Sequence, residues 1–413
     1  VTTRATETDD TVRTRRRAVA AMTFATGVII ANNYYAQPLE DALAEAFHAS
    51  TSQIGLILTL IQLGYALGLA TLVPLGDLLE RRRLVVTMLS VTVAGMVVVA
   101  VAPTLAVLGA AATLVGITTV AAQILVPFAA HLAPEGQQGK MVSTVMSGLL
   151  IGVLISRVVA GLVSQVLGWR AVFVLGAVLT AVAVVLLWRA LPVLPPTTRM
   201  RYGALLRSVV ALVREEPVLR WRVVYSASSY AAFGALWTSI GFMLAAPPHH
   251  FDQGVIGLFA LFGVAGAAAA RFAGRLADRG WAHYAVGGFL AVSVLSWAAI
   301  AQGAGPGVGS LVALAIGLLL FDLGVQGVHV SNQTIVYALR PDSRSRINSA
   351  YMTIYFLGGA LGSGLSATFY ASHGWAGVSV LGAVLPAIGL VFWFVDTALR
   401  RRAVSVAARA TPA

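Results

Sequence analysis

The stretch LLLFDLGVQGVHVSNQTIVYALR, residues 318–340, is an apolar run interrupted by Asp322, Gln326, His329, Asn332 and Gln333. Its length suits a helix crossing a hydrocarbon core roughly 30 Å thick, for which about twenty apolar residues suffice. The polar members need a separate explanation. At 100° per residue, Asp322, Gln326, His329 and Gln333 fall within about 60° of arc and make a stripe roughly 16 Å long, with Asn332 beside it. An aspartate near the middle of a lone span costs about 2.5–3.5 kcal/mol on insertion scales, so this face must look onto water or polar partners. The run therefore reads as one helix among several, its polar face turned to an aqueous interior.

The rest of the chain repeats the pattern. Its 413 residues are 58% hydrophobic and 11% charged, more apolar than a soluble core can absorb. Comparable runs start near residues 19, 52, 84, 105, 141, 171, 221, 254, 283, 309, 347 and 376, about twelve in all. Strand-like alternation is absent, which argues for helices over a membrane barrel. The expected class is an all-α polytopic membrane protein.

The net charge of +12 raises the question of nucleic acid, and the distribution of the basic residues answers it. Arg13, Arg15, Arg16, Arg17, Arg81, Arg82, Arg83, Lys140, the arginines from Arg199 to Arg222, Arg275, Arg279, Arg340, Arg344, Arg346, Arg400, Arg401 and Arg402 precede odd-numbered runs or follow even-numbered ones. The opposite loops, such as APT at 102–104 and QGAGPGVG at 302–309, are nearly free of Lys and Arg. The basic excess is thus topology: by the positive-inside rule both termini are expected in the cytoplasm, with the protein in the inner membrane and no nucleic-acid partner. There are no cysteines, which excludes disulfides and thiol chemistry. The Arg-rich start continues through its apolar run into NNYYAQ at 32–37 with no small-residue cleavage site, so it reads as a retained first span.

The chain also resembles itself at a spacing of roughly 200 residues. LGAVL at 175–179 recurs at 381–385, Gly168-Trp169 recurs as Gly374-Trp375, APE at 133–135 stands opposite RPD at 340–342, and LGD at 75–77 opposite LAD at 276–278. Six spans per copy, an even number, would relate the copies by an axis along the membrane normal. The expected organisation is a cytoplasmic tail at 1–18, a six-helix bundle at 19–190, a linker at 191–220, a second six-helix bundle at 221–396 and a tail at 397–413. The two pseudo-symmetric bundles would enclose a central cavity. The linker's basic amphipathic part is expected on the cytoplasmic membrane surface.

Twelve spans, a six-plus-six repeat, a long central loop and a charged turn after spans two and eight together resemble the major facilitator superfamily of secondary transporters. The turn VPLGDLLERRR, residues 73–83, looks like that family's Gly-x-Leu-Ala-Asp-Arg-x-Gly-Arg-Arg signature at Leu75, Gly76, Asp77, Arg81 and Arg82. It departs from the signature at Val73, Leu78 and Glu80. The second copy, GRLADRG at 274–280, matches better and includes Asp278 and Arg279. The phrases NNYYAQPL at 32–39, FDLGVQ at 321–326 and SRINSAYMT at 345–353 look like a bacterial branch near the drug and metabolite exporters. The resemblance implies transport by alternating access around the first, fourth, seventh and tenth helices, and leaves the cargo open.

Polar residues follow the same span numbers. Span one has Asn33, Tyr34 and Gln37; span four has Thr119 and Gln123; span seven has Ser226, Tyr230, Phe233 and Trp237 at i, i+4, i+7 and i+11. Spans three, six, nine and twelve have no charged or amide residue in their interiors. The candidate substrate-binding set is therefore Asn33, Tyr34, Gln37, Gln123, Tyr230, Phe233, Trp237, Gln326, Asn332 and Gln333. Buried ionisable groups mark ion or proton pathways, which makes Asp322, His329 and Arg157, the other deeply placed charge, the candidate coupling set. Histidine, with an unperturbed pKa of about 6.5, suits a proton step. Asp77, Arg81, Arg82, Asp278 and Arg279 form the candidate gate. There Asp77 would sit at the amino end of span eleven and Asp278 at that of span five, each favoured by about 0.3–1 kcal/mol. Gly148, Gly152, Gly161, Gly358, Gly359, Gly362 and Gly364 are expected where the two halves slide.

No phosphate loop, His-Glu-x-x-His or Gly-x-Ser-x-Gly motif occurs, and His249 with His250 lacks the further ligands a metal needs. No cofactor or metal is expected. The favoured reading is a monomeric, proton-coupled exporter of a small organic molecule. An importer, or a membrane-embedded enzyme using Asp322 and His329 as acid and base, is the alternative.

Overall fold

Capping side chains mark where four of the helices begin. Ser50 and Gln53 form a reciprocal capping box, Ser50 Oγ accepting from Gln53 N at 3.3 Å and Gln53 Oε1 from Ser50 N at 2.8 Å. Thr104 and Asp252 cap the helices that follow them, accepting from the backbone of Val107 and Val255. Glu80, the residue that departs from the signature turn, accepts from Arg82 N at 2.9 Å and Arg83 N at 3.2 Å. A carboxylate there satisfies two of the donors that a helix start leaves orphaned.

The computed structural model describes residues 9–133, 138–196, 200–264, 272–273, 275–276, 279–339 and 344–410. Among them there is no strand. The helices are α1 (Asp9–Asn32), α2 (Glu40–Phe47), α3 (Thr51–Leu78), α4 (Arg81–Ala100), α5 (Leu105–Thr118), α6 (Ala121–Leu132), α7 (Gln138–Leu167) and α8 (Trp169–Ala190). There follow α9 (Tyr202–Glu215), α10 (Pro217–Ala245), α11 (Gln253–Phe259), α12 (Ala282–Ile300) and α13 (Val308–Leu339). The last helical stretch, Arg344–Ala410, breaks at Gly374 (φ 60°, ψ −152°), giving α14 at 344–373 and α15 at 375–410. Gly168 (φ 82°) makes the matching break before α8. Both breaks need a backbone that side chains strain, and each is followed by a buried tryptophan, Trp169 or Trp375. The repeated Gly-Trp pair is thus the same corner used twice.

Eight helical stretches among the described residues are long and apolar enough to cross a membrane. The expected runs lie on α1, α3, α4, α5 with α6, α7, α8, α10, α11, α12, α13, α14 and α15, in that order. Helix continues outside the expected span limits, back to Asp9 and on to Ala410. The end of the molecule carrying the Arg-rich connections is its basic side, and the opposite end is its far side.

Close helix contacts are made by glycines, but mostly not where the sequence placed them. A side chain on Gly148 or Gly152 would run into the α1 backbone at Thr23 or Gly27, and one on Gly358 or Gly362 into the α10 backbone at Ala227 or Ala231. Gly359 meets the Tyr230 ring. These are contacts of span one with five and seven with eleven, though a side chain on Gly359 would also come within 3.7 Å of Gln62 Nε2 in the first half. Gly161 against Gln253, and Gly364 facing Thr59, do bridge the halves of the chain. The linker also differs from expectation. Leu205, Val209 and Leu212 of α9 are buried, and the helix is tied to α3 by Tyr202 Oη donating to Thr71 O (2.9 Å) and to α14 by Arg346 donating to Ser208 Oγ (3.4 Å). Its apolar face packs on protein.

Candidate functional site

Arg157 projects from α7 and is 4% exposed. Its Nε donates to Gln37 Oε1 at 2.7 Å and its Nη1 to Val153 O at 3.3 Å. The guanidinium lies over the rings of Trp237 (4.2 Å), Tyr34 (4.7 Å) and Phe233 (5.7 Å). Such contacts are worth about 0.5–2 kcal/mol each when desolvated. The i, i+4, i+7, i+11 spacing on α10 is what lets Phe233 and Trp237 face the same guanidinium while Tyr230, one turn earlier, meets span one. Tyr230 Oη and Tyr34 Oη are 3.1 Å apart.

Asp322 stands on α13, 7% exposed, with its carboxylate 3.9 Å from where a Cβ on Gly263 would lie. It is close enough for its charge to act on Arg157, Tyr34 and Tyr355. Arg157 from the first half of the chain and Asp322 from the second therefore share one electrostatic site. Further along the stripe Gln326, His329 and Gln333 are half-buried. The His329 ring lies 4.7 Å from that of Tyr355, which stacks on Tyr230 at 3.9 Å. Gln333 donates to Tyr337 Oη (2.9 Å), and Gln123 to Tyr65 Oη (3.4 Å).

Asn33 and Gln37 line a water-sized cavity with Gln62 of α3, Thr238 of α10 and Ser363 of α14. Neither amide atom of Asn33 has a hydrogen-bond partner among the described residues, nor has Gln62 Oε1. Asn332 does not join the stripe. It is fully buried, accepting from Arg222 Nη1 (3.3 Å) and donating to Ser226 Oγ (2.8 Å), so it ties α13 to α10.

The part of the candidate gate that lies within the described residues makes the following contacts. Arg81 donates from Nη2 to Asp77 Oδ1 (3.2 Å) and from Nε to Gly76 O (2.9 Å), and its Nη1 is 3.2 Å from His131 Nδ1. Arg82 donates to Leu191 O (3.2 Å) and lies over Trp188 at 4.3 Å. These two arginines fasten the α3–α4 turn to the basic-side ends of α6 and α8. Arg279 is exposed in a turn; Asp278, with the second expected latch, lies outside the described residues.

Several residues were missed by sequence reasoning. Arg222, counted among the loop arginines, is 1% exposed, and its Nη2 is 2.9 Å from His283 Nδ1. Asp396, at the expected end of span twelve, is buried as well and accepts from Tyr225 Oη and Arg400 Nε, both at 2.8 Å. Arg157 is thus not the only other buried charge. Tyr351 and Tyr355, four residues apart on α14, flank His329, and their spacing was the available signal.

The sequence profile of the Major Facilitator Superfamily matches residues 22–321 and 228–412. The chain belongs to that superfamily. It is 47% identical over 376 residues to the uncharacterized transporter YgaY of Escherichia coli O157:H7, covering 91% of this chain and 94% of the relative. It is 36% identical over 366 residues to the probable transporter SCO4007 of Streptomyces coelicolor, covering 87% and 83%. Among solved structures, a bacterial homolog of the human lysosomal transporter Spinster, inward-facing and unoccupied, superposes with a TM-score of 0.75 at 12% identity, over 92% of this chain and 96% of that one. This member of the superfamily is accordingly a multi-pass membrane transporter and not an enzyme.

Proposed function

We propose that this transporter exports a small organic molecule in exchange for protons, as a monomer in the cytoplasmic membrane with both termini inside. It works by alternating access between two six-helix bundles, residues 19–190 and 221–396, joined by the linker 191–220. The basic side is the cytoplasmic side. The observation that carries the reading is the buried Arg157–Asp322 electrostatic site, roofed by Tyr34, Phe233 and Trp237 at the junction of the halves.

Two buried charges of opposite sign stabilise a closed centre while both are ionised, and protonation of the carboxylate removes that attraction. Tyr34 and Tyr230 then part, and the aromatic faces become walls for a substrate ring. The half-buried amides Gln123, Gln326 and Gln333 line the approach from the basic side, Asn33 and Gln37 the exit. His329, between Tyr351 and Tyr355, relays or holds a second proton. Aromatic faces with few hydrogen-bonding groups suit a neutral or weakly polar ring compound, with Arg157 ready for an anionic substituent. A thermal-stability screen of the purified protein against antibiotics, nucleosides, amino acids and sugars is expected to yield a stabilising ligand. Its uptake into inside-out vesicles is expected to depend on an imposed pH gradient; gradient-independent uptake of every hit would overturn proton coupling.

Asp77 and Arg81 keep the α3–α4 turn closed against the neighbouring helices on this side. Asp77→Ala is expected to raise maleimide labelling of a single cysteine at Val126, half-buried on α6, several-fold, since a tenfold population shift needs only about 1.4 kcal/mol. Unchanged labelling would remove Asp77 from the gate.

A further inference from the structure

Glu40 opens α2, directly after the one-turn 3-10 helix Gln37–Leu39 where the chain leaves span one on the far side. It is 1% exposed, and neither carboxylate oxygen has a hydrogen-bond partner among the described residues. Gly241 of α10 closes over it: a Cβ there would come 3.0 Å from Glu40 Oε2 and 3.6 Å from Gln37 O. The carboxylate is therefore clamped between the end of span one and span seven, in a seam that joins the two halves of the chain. Leu39, Leu43, Ile54, Ile57 and Phe242 belong to the apolar cluster around this seam.

Among the described residues, the groups facing Glu40 offer it no counter-charge. Asp41, on its own helix, carries the same sign. From α14, Tyr370 faces it, its ring tilted against that of Phe242 at 5.7 Å between centroids. Helix α10 presents Gly241 and Phe242, and the first turns of α3, TSQIGLIL at 51–58, contain no titratable residue. Burial, and then Asp41, hold the Glu40 carboxyl well above the usual carboxylate range. An ionised carboxylate without a partner in such a place is strongly disfavoured, so the group takes a proton or the seam admits water.

We propose that Glu40 is a further proton-binding site, built into the far-side seal: the seal closes when Glu40 is protonated and opens when it ionises. This rests on the alternating-access reading above. The closed seal binds the proton more tightly than the open one. Lower pH therefore favours closure by up to tenfold per pH unit between the open-state and sealed-state pKa values, and raising the pH through the sealed-state value undoes it. The site reaches the centre through one turn of chain, because Gln37 accepts the 2.7 Å bond from Arg157 Nε. A proton arriving from the far side thus closes that side and shifts the residue that holds Arg157.

The test uses the full chain in lipid nanodiscs, carrying Ala46→Cys and Ser372→Cys as a spin-label pair, both sites being exposed and the chain having no native cysteine. Between about pH 5 and about pH 9 the ratio of long to short label distances is expected to rise roughly tenfold or more. Glu40→Gln should hold the short distance throughout, while Glu40→Asp, still an acid, should keep a pH-dependent ratio. A Glu40→Gln protein that melts like the parent and keeps the full pH response overturns the proposal, as does a parent protein with one distance at every pH. If Asp322→Asn abolishes the response and Glu40→Gln does not, Asp322 is the proton site that moves the seal; Glu40 then has no role in it, while proton coupling itself stands. If Glu40→Gln does not fold, a parent response that Glu40→Asp leaves with the same midpoint and amplitude overturns the proposal, and a shifted midpoint supports it.

Discussion

Asp322→Asn is expected to abolish accumulation driven by a pH gradient, by at least tenfold, while exchange of substrate across proteoliposomes at equal pH persists. Asparagine copies the shape of aspartate and cannot carry the proton. The carboxylate comes close to Gly263, and the amide occupies the same volume as the carboxylate it replaces. The charge that acts on Arg157, Tyr34 and Tyr355 disappears, and with it the dependence of the closed centre on protonation. Gradient-driven uptake at the parent rate would show that Asp322 does not couple, leaving His329 and Glu40 as proton sites.

Arg157→Gln should give the largest loss of stability. Asp322 then loses a nearby positive charge, and the Gln37 bond and three ring contacts are lost too. Adding Asp322→Asn should recover most of the melting temperature, because the stranded charge is gone, and none of the gradient-driven transport. Arg157→Lys should fall between the two, keeping the charge without the planar group that reaches Gln37 while lying on the rings. Thermal melts of the four proteins form a double-mutant cycle. Additive losses, with no recovery in the double variant, would show that the two charges do not depend on one another.

The spans were legible because an unbroken apolar run of about twenty residues has few other uses. The repeated Gly-Trp pair was legible for a different reason: a backbone break followed by a large buried ring leaves a sequence mark wherever it is used, here at Gly168 and Gly374. The stripe on α13 was legible from helical period alone. Asn332 was not, since 100° steps place it beside the stripe without saying that Arg222 and Ser226 of α10 draw it away. Arg222 itself looked like one more loop arginine, and its burial depends on His283 and Asn332 arriving from other helices. Glu40 looked like the first residue after a span, and nothing near it in the chain announces Gly241, two hundred residues on.

Composition, run length and the placement of arginines, taken alone, determined that this chain is a helical membrane protein with a polar face on its tenth span, because each of those properties is local or additive along the chain. Which glycines touch which helices, that Trp237, Tyr34 and Phe233 converge on Arg157, and that Glu40 is sealed with no hydrogen-bond partner among the described residues were decided only by tertiary packing. Desolvation is the reason: the cost of a buried charge is set by the groups brought around it from distant parts of the chain, and no window of neighbouring residues contains them.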